Sequence, residues 1–408
     1  MVSLLNGVFI TRLGQVPLEK RPLEITERKG LGHPDTMCDN IMNQVSIDLS
    51  TEYVKRFGHI YHHNLDKGLI AAGETNVKYG GGKVNKPILI VYGDRATFKV
   101  GNEEVPVNEI AINSTKAWLK KNLRFIEPDF HVKFQSEIKP GSTALQDIFS
   151  RKKAGEYLGA NDTSAAVGFA PYTKQEKLVL GLEKYLNSKE FKKEHPESGE
   201  DIKLMALRRR SKVDLTVAMA MVDRFINSES EYFKRKAEIY DSINTWISDK
   251  GGFERVKVSL NALDAKGRGL DGLYLTVLGT SAEAGDSGQV GRGNNVRGVI
   301  ALLRPMSSEA AAGKNPVSHV GKIYNLLSYR IADRIVEEVN GVHETYVWLL
   351  SRIGHPINKP MVVSAQLIPE KGVTVGDVKP EIEEIIADEF EHLSDFCDDL
   401  AKGHVNLR

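Results

Sequence analysis

The segment from Glu27 to Asp35, Glu-Arg-Lys-Gly-Leu-Gly-His-Pro-Asp, combines a histidine and a carboxylate with nearby glycines. A carboxylate suits Mg²⁺, and backbone N–H groups at the start of a helix suit a phosphate. Pro34 is typical of a first helical turn, so His33 and Asp35 are predicted to lie at a helix start. The segment predicts a magnesium-phosphate site. The alternative is that both side chains only cap the helix.

A second candidate is the run Gly-Asp-Ser-Gly-Gln-Val-Gly-Arg-Gly-Asn-Asn, residues 285–295. Its glycines, with Asp286 and Arg292 between them, are typical of a loop whose backbone N–H groups face an anion. The Gly-Lys-Ser/Thr ending of a P-loop is missing, and the run does not have the strand and helix context of a Rossmann turn. The alternative is a glycine-rich surface turn.

Two further segments and one lysine are candidates. Gly313-Lys314-Asn315-Pro316, followed by Ser318, His319 and Lys322, gathers cationic groups where a helix dipole would favour anionic ones, which a bound polyanion would explain. Asp162, in a turn of small residues, could bind a ligand or form an Asx-type turn. Lys203 is also a candidate, whereas the adjacent cluster Arg208 to Arg210 is predicted to be an exposed face.

Hydrophobic periodicity predicts the elements that position these segments. The predicted helices span residues 34–57, 108–123, a stretch after Pro316, and 382–400. The predicted strands include 88–92, a strand through Val213 and Met219, and 361–368, while 187–200 is predicted to be an exposed loop. Strands and helices mix without a regular βαβ rhythm, so an α+β fold is favoured over a doubly wound sheet.

Length and composition narrow the class of protein. The chain has 408 residues, which favours two or three domains, and a net charge of +1, which gives no general attraction to nucleic acid or to an anionic membrane. No apolar run approaches the roughly 20 residues of a membrane span. Two cysteines, Cys38 and Cys397, are too few for a disulfide framework. The first residues do not form a secretory pattern, so a cytoplasmic location is expected.

Three segments together, in this order, resemble the methionine adenosyltransferase family in its archaeal branch. They are Gly-His-Pro-Asp followed by Cys-Asp-Asn, then the glycine-rich run, then Gly-Lys-Asn-Pro-Val-Ser-His-Val-Gly-Lys-Ile-Tyr-Asn. The resemblance implies three structurally similar α+β domains in a pseudo-threefold arrangement, with expected ranges 1–140, 141–265 and 266–408. It also implies a homodimer with shared active sites at the subunit interface.

The reaction implied by the resemblance joins ATP and L-methionine. The methionine sulfur attacks C5′ of ATP and expels the triphosphate, which is then hydrolysed to pyrophosphate and phosphate. A thioether is a weak nucleophile, so alignment and stabilisation of the leaving polyphosphate must lower the barrier. Mg²⁺, with two ions expected per site, suits that task.

Individual roles follow by motif position from the same resemblance. Asp35 and Asp286 resemble the metal-binding carboxylates, and Asp162 resembles the acid that orients methionine. The catalytic set implied is His33, Lys203, Arg292 and Lys314. The ATP- or substrate-binding set implied is Glu27, Asp162, Gly285, Asp286, Ser287, Gly288, Gly291, Asn295, Ser318, His319 and Lys322.

The sequence departs from the better-known bacterial and eukaryotic branch. Gly293-Asn294 and His319 stand where that branch has lysines, so Lys322 or Arg297 is expected to supply part of the missing charge. The potassium-binding acid of that branch has no clear counterpart near residues 61–64, which leaves a K⁺ requirement open.

Two other functional classes compete with this interpretation. A kinase-like or ligase-like enzyme would share the phosphate-binding elements but transfer a phosphoryl or adenylyl group. A non-catalytic nucleotide-binding module would use the same glycines as turns and the same acids as caps. Methionine-dependent release of pyrophosphate and phosphate would distinguish a methionine adenosyltransferase from a kinase-like or ligase-like enzyme. ATP binding without turnover would indicate the non-catalytic module.

Overall fold

The computed structural model describes residues 8–141, 149 and 157–407. The start of the expected middle domain and the N-terminal residues 1–7 lie outside the described residues. The helices are α1 Pro34–Phe57, α2 Val107–Asn122, α3 Pro128–His131, α4 Lys174–Leu186, α5 Lys189–Glu194, α6 Glu229–Lys250, α7 Val320–Glu338, α8 Val375–Glu391 and α9 Leu393–Lys402.

The strands are short in the first half of the chain and longer in the second. They are β1 Val8–Arg12, β2 Leu23–Lys29, β3 His63–Asn64, β4 Leu69–Ala71, β5 Glu74–Asn76, β6 Lys83–Lys86, β7 Ile88–Tyr92, β8 Arg95–Ala96, β9 Lys99–Val100, β10 Glu103–Glu104, β11 Val132–Ser136, β12 Lys139–Pro140, β13 Ala165–Ala170, β14 Ser198–Arg209, β15 Lys212–Val222, β16 Arg255–Leu260, β17 Leu275–Thr276, β18 Gly288–Gln289, β19 Ile300–Ala301, β20 Val342–Leu350 and β21 Val362–Pro369.

Three sheets carry most of the packing, and each is backed by helices. One sheet has the order β1-β21-β20-β13 and packs against α7 and α8. A second has the order β11-β7-β4-β18 and packs against α1, and a third, β16-β15-β14-β2-β19, packs against α4 and α6. The predicted mixture of helices and sheets is confirmed. Each sheet joins strands that are far apart in the chain, so the three expected domain ranges stay a prediction.

The predicted helix 34–57 is confirmed at both ends. Pro34 occupies the first turn, and Gly58, with a φ of 76°, ends the helix in the left-handed region that glycine tolerates. The apolar residues of its predicted inner face are buried: Met37, Cys38, Ile41, Met42, Val45 and Leu49. The helix packs this apolar face into the core, and its first turn holds Asp35 in place.

Three predictions were wrong. The segment predicted as an exposed loop, 187–200, contains α5 and the first residues of β14, and Lys192, His195 and Glu197 are buried there. The predicted terminal helix is divided into α8 and α9 at His392. Arg208 is buried and its guanidinium pairs with Glu24 at 2.8 Å, whereas Arg209 and Arg210 are exposed as predicted. The partner of Arg208 lies 184 residues away, and the Lys192 ammonium is enclosed by the start of β14, where it donates to the Gly199 carbonyl, so charge alone wrongly indicated exposure.

None of the helices in the described part of the chain is both long and apolar enough to cross a membrane.

Candidate active site

The start of α1 is held by the middle of the chain. Gly32 donates its N–H to the Glu200 carbonyl at 2.9 Å, and Gly30 donates to the Ile202 carbonyl at 2.6 Å. A Cβ on Gly32 would lie 2.5 Å from the Glu200 carbonyl carbon, so only glycine allows this approach. The glycines of the first motif therefore serve to dock the helix start on β14.

His33 is the N-cap of α1 and is buried, with 6% of its surface exposed. Its Nδ1 accepts the Asp35 backbone N–H at 3.3 Å. Burial lowers the pKa of His33, against the opposing effects of Asp201 and Asp35. The ring is therefore neutral at pH 7, and because Nδ1 accepts, Nε2 carries the proton and is a donor for an anion. The capping alternative and the phosphate interpretation are both compatible with this geometry.

The glycine-rich loop lies directly on the start of α1. The Gln289 backbone N–H donates to Asp35 Oδ1 at 3.0 Å, across 254 residues of sequence, and the Gly291 N–H donates to Asp39 Oδ1 at 2.9 Å. A Cβ on Gly288 would meet the Pro34 carbonyl oxygen at 2.2 Å. The first two motifs thus form one site, and Gly288 is required by close packing.

Lys29, the last residue of β2, binds the second half of the glycine-rich loop. Its backbone N–H and carbonyl are both bonded to the Asn294 amide, at 2.9 and 2.6 Å. Its ammonium lies 2.9 Å from Asp35 Oδ2 and 2.5 Å from the Arg292 carbonyl oxygen. The Arg292 side chain is exposed beside these contacts.

A buried acid, Asp201, completes this group of residues. It accepts the Ser281 N–H at 2.8 Å and the Ser281 hydroxyl at 2.5 Å. Burial raises the pKa of Asp201, while the charge on His33 would lower it and that of Asp286 raises it. Asp286 itself is exposed and accepts the Ser287 N–H at 2.9 Å. Asp201 therefore lies close enough to His33 and to Asp286 for their charges to affect it.

The other predicted members of this group have identifiable places. The Lys203 ammonium, 44% exposed, pairs with Glu27 at 3.3 Å on the neighbouring strand. The Ser287 hydroxyl accepts the Ala72 N–H at 3.1 Å. Gly291 has a φ of 83°, a left-handed turn that favours glycine. Gly285 lies just before Asp286, and the Asn295 amide contacts the Met306 sulfur.

The third motif lies on a different part of α1. The Lys314 ammonium is 2.9 Å from Asp66 and 3.4 Å from Glu309, and its carbonyl accepts the Ser46 hydroxyl at 3.0 Å. The buried Lys322 ammonium donates to Asn43 Oδ1 at 2.8 Å. All of these cations have partners inside the chain.

Burial governs the charge of this second group. It lowers the pKa of Lys322 to about 7, helped by the charge of Lys314, and the pKa of His319 to about 3. His319 caps α7 by accepting the Gly321 N–H at 3.2 Å. The Ser318 carbonyl accepts the Asn161 N–H at 3.2 Å, which brings the segment of Asp162 to this motif. Asp162 is exposed, and its Oδ1 accepts the N–H of the next residue, Thr163, at 2.7 Å, whereas an Asx-type turn would bond the N–H two residues on.

The predicted residues therefore form two groups, which we call the loop group and the lysine group. The loop group surrounds Asp35, and the lysine group surrounds Lys314. Asn43 and Ser46, which the lysine group contacts, lie eight and eleven residues beyond Asp35 on α1, or roughly 12 and 16 Å along a helix. The contacts of the lysine group on α1 therefore lie further along the helix than those of the loop group, while the Lys314 ammonium also donates to the Ala310 carbonyl, next to Gly291 of the glycine-rich loop.

The loop group offers a partial set of ligands for Mg²⁺. Asp35, Asp286 and the Arg292 carbonyl provide hard oxygen donors, and Asp35 Oδ2 already faces a positive charge. Among the described residues no three side chains of His, Cys, Asp or Glu are arranged as a complete metal site. Mg²⁺ in phosphate-handling enzymes is commonly held by one or two carboxylates together with substrate phosphates. The donor set fits that arrangement.

Comparison with known proteins decides the family. The model of the family described as S-adenosylmethionine synthetase (AdoMet synthetase) matches residues 6–404. The chain belongs to this family. It is 46% identical to an S-adenosylmethionine synthase of Thermococcus onnurineus over 94% of both chains. It is 42% identical to the S-adenosylmethionine synthase of Pyrobaculum aerophilum over 98% of this chain and 100% of the relative. The resemblance to the archaeal branch, and the expected enzyme class, are confirmed.

A solved structure supports the fold of this family member independently. The S-adenosylmethionine synthetase of Campylobacter jejuni, described as unusual, superposes with a TM-score of 0.59 over 94% of this chain and 95% of that one. The sequence identity is 17%, so this likeness concerns the fold alone.

Three residues of the loop group were not predicted from the sequence. Lys29 lies inside the first motif but carries no pattern of its own, Asp201 follows Glu200 near the start of a strand with no motif around it, and Asn294 stands where the other branch has a lysine. The available signal was a general one: ligands often bind where the ends of neighbouring strands meet at one edge of a sheet. Asn294 and Lys29 bond across 265 residues, and Asp201 and Ser281 bond across 80, so local spacing does not predict these contacts.

Proposed function

We propose that the chain synthesises S-adenosylmethionine from ATP and L-methionine. The sulfur attacks C5′ of ATP, and the expelled triphosphate is hydrolysed to pyrophosphate and phosphate. The observation that carries this proposal is the docking of the glycine-rich loop on the start of α1 through Asp35 and Asp39. That docking gathers donors for a polyphosphate in one place.

The loop group suits the leaving polyphosphate. His33 Nε2–H, the Lys203 ammonium and the Arg292 guanidinium would stabilise the charge that grows on the departing oxygens. Bound Mg²⁺, of which we propose two ions, would neutralise polyphosphate charge, with Asp35 and Asp286 as its protein ligands. Glu27 would orient Lys203, whose ammonium lies 3.3 Å away. A K⁺ requirement stays open, since residues 61–64 contain no carboxylate.

The lysine group suits the other half of a shared site. We propose a homodimer in which Lys314, Ser318, His319, Lys322 and Asp162 of one subunit complete the loop group of its partner. Apolar side chains next to the loop group are exposed, with Leu69 at 41% and Leu302 at 46%. Leu69 pairs in register with Gln289 of the loop. The proposed interface would cover these exposed leucines. The pseudo-threefold arrangement of the three sheets, and a cytoplasmic location, stay predictions.

One assay tests the reaction. We expect S-adenosylmethionine to form only when ATP, Mg²⁺ and methionine are all present, with pyrophosphate and phosphate released in equal amounts. A phosphorylated or adenylylated methionine would indicate a kinase-like or ligase-like enzyme. ATP binding without any product would indicate a non-catalytic module.

Dilution should lower specific activity if the two groups come from different subunits. As dimers separate, each loop group loses the lysine group that completes it, so activity should follow the dimer fraction measured by light scattering. Mixing two inactive variants, one altered in each group, should restore part of the activity. A monomer with full activity would contradict the shared site.

Arg292→Leu should slow triphosphate hydrolysis more than the first displacement. During the displacement several groups share the growing charge, whereas hydrolysis needs the triphosphate held still for attack by water. Arginine is a fixed bidentate donor for that purpose. Rapid quenching should show S-adenosylmethionine in a single turnover together with accumulated enzyme-bound triphosphate. Arg292→Lys should be intermediate, and equal slowing of both steps would mean that Arg292 acts elsewhere.

A further inference from the structure

Lys29 occupies a cation position that is built into the loop group. Its backbone is fixed at both polar atoms by Asn294, and its carbonyl also accepts the Thr36 hydroxyl at 3.1 Å. The side chain is 13% exposed and ends between Asp35 Oδ2 and the Arg292 carbonyl oxygen. A carboxylate and a carbonyl are oxygen ligands that suit an ammonium or a hard divalent ion equally.

The two cations cannot use Asp35 together. Oδ1 of Asp35 already accepts the Gln289 N–H, and Oδ2 faces the Lys29 ammonium at 2.9 Å. A metal ion that bound Oδ2 would lie within a few ångströms of the ammonium, where like charges in a poorly hydrated site repel strongly. Metal binding at Asp35 therefore requires the ammonium to move away.

When the Lys29 ammonium leaves Asp35, it can pair with a phosphate oxygen of a bound polyphosphate. The four-carbon stem of lysine is flexible, and its head is a compact charge that binds phosphate oxygens. Because the Lys29 backbone is anchored by Asn294, only the side chain needs to turn. His33 and Lys203, which are proposed to bind the polyphosphate, lie near enough to Lys29 that a polyphosphate held by them would face the Lys29 ammonium as well.

We propose that Lys29 is a further binding residue of this site, which competes with Mg²⁺ for Asp35 and passes to a phosphate oxygen when metal and polyphosphate enter together. The exchange makes metal binding and polyphosphate binding cooperative. Metal alone binds weakly because it must displace the Lys29 ammonium from Asp35. When polyphosphate is bound as well, the displaced ammonium pairs with a phosphate oxygen, and this new contact offsets the loss. The inference rests on the proposed function through the role of Asp35 as a metal ligand.

Titrations of two probes test the proposal without turnover. Mn²⁺ alone should bind Lys29→Met at least tenfold more tightly than the unchanged protein. Tripolyphosphate with Mg²⁺ should bind the same variant about tenfold more weakly. A merely structural lysine would weaken both probes together, so opposite changes are the distinguishing result. Lys29→Arg, which keeps the charge, should retain weak Mn²⁺ binding and should fold if the methionine variant does not.

Two further variants separate this proposal from the proposed function. Lys203→Met removes an ammonium that pairs with Glu27 rather than Asp35, so it should weaken tripolyphosphate binding and leave Mn²⁺ binding unchanged. Asp35→Asn should lose the Mn²⁺ site. If Asp35→Asn binds Mn²⁺ normally, the metal assignment of the proposed function fails. If it loses Mn²⁺ but Lys29→Met binds Mn²⁺ no more tightly, the competition is overturned and the metal assignment stands.

Discussion

Asp286→Asn and Asp35→Asn are each expected to lower kcat at least a hundredfold while the fold stays intact. Both carboxylates are proposed to hold Mg²⁺ on the leaving polyphosphate, and loss of such a group typically removes about 3 kcal/mol of transition-state stabilisation. Asparagine keeps an acceptor oxygen for the Ser287 N–H beside Asp286 and for the Gln289 N–H beside Asp35. Each substitution should therefore remove a charge and weaken metal binding without moving the glycine-rich loop.

The measurement is steady-state turnover at several Mg²⁺ concentrations, with circular dichroism as the test of folding. Asp48→Asn is a matched control, because Asp48 lies on the same helix and its Oδ1 accepts a hydrogen bond from the Gln44 side-chain amide at 2.9 Å, an acceptor that asparagine keeps. It should keep normal turnover. Near-normal kcat and unchanged Mg²⁺ dependence in both test variants would contradict the assignment of the two carboxylates.

Arg304→Met is expected to destabilise the fold by about 3–5 kcal/mol, the usual effect of removing one partner of a buried ion pair. The Arg304 side chain is 0% exposed and pairs with Glu176, also 0% exposed, at 2.7 Å. It also donates to the Pro171 carbonyl at 2.8 Å and lies over the Phe169 ring. Methionine fills the volume but leaves the Glu176 carboxylate buried without its counter-charge.

Urea unfolding measures this effect, since a loss of this size is a large part of the 5–15 kcal/mol typical of a folded domain. Arg209→Met is the matched control. Arg209 pairs with Asp214 at 3.1 Å, but both side chains are exposed, at 67% and 45%, and such pairs contribute about 0–1 kcal/mol. Equal destabilisation by the two changes would mean that the buried network does not stabilise the fold.

Local patterns were sufficient wherever one segment determines its own structure. The helix of residues 34–57 was predictable because Pro34 and a four-residue apolar repeat specify both its start and its buried face. The strand through Val213 and Met219 was predictable from alternation, since successive side chains of a strand point to opposite faces. The three motifs were recognisable together because each combines glycines with charged groups in a fixed order.

The sequence alone determined the family, the main helices and strands, and the candidate residues, because motif order and hydrophobic period are properties of neighbours in the chain. Tertiary structure alone decided which candidates meet. It brought Asp35 to the glycine-rich loop across 254 residues, and brought Lys322 and Lys314 to Asn43 and Ser46, roughly 12 and 16 Å further along the same helix. It also buried Arg208 and Lys192, which looked exposed. Burial and ion pairing depend on how segments pack against each other in three dimensions, so the spacing of residues along the sequence does not predict them.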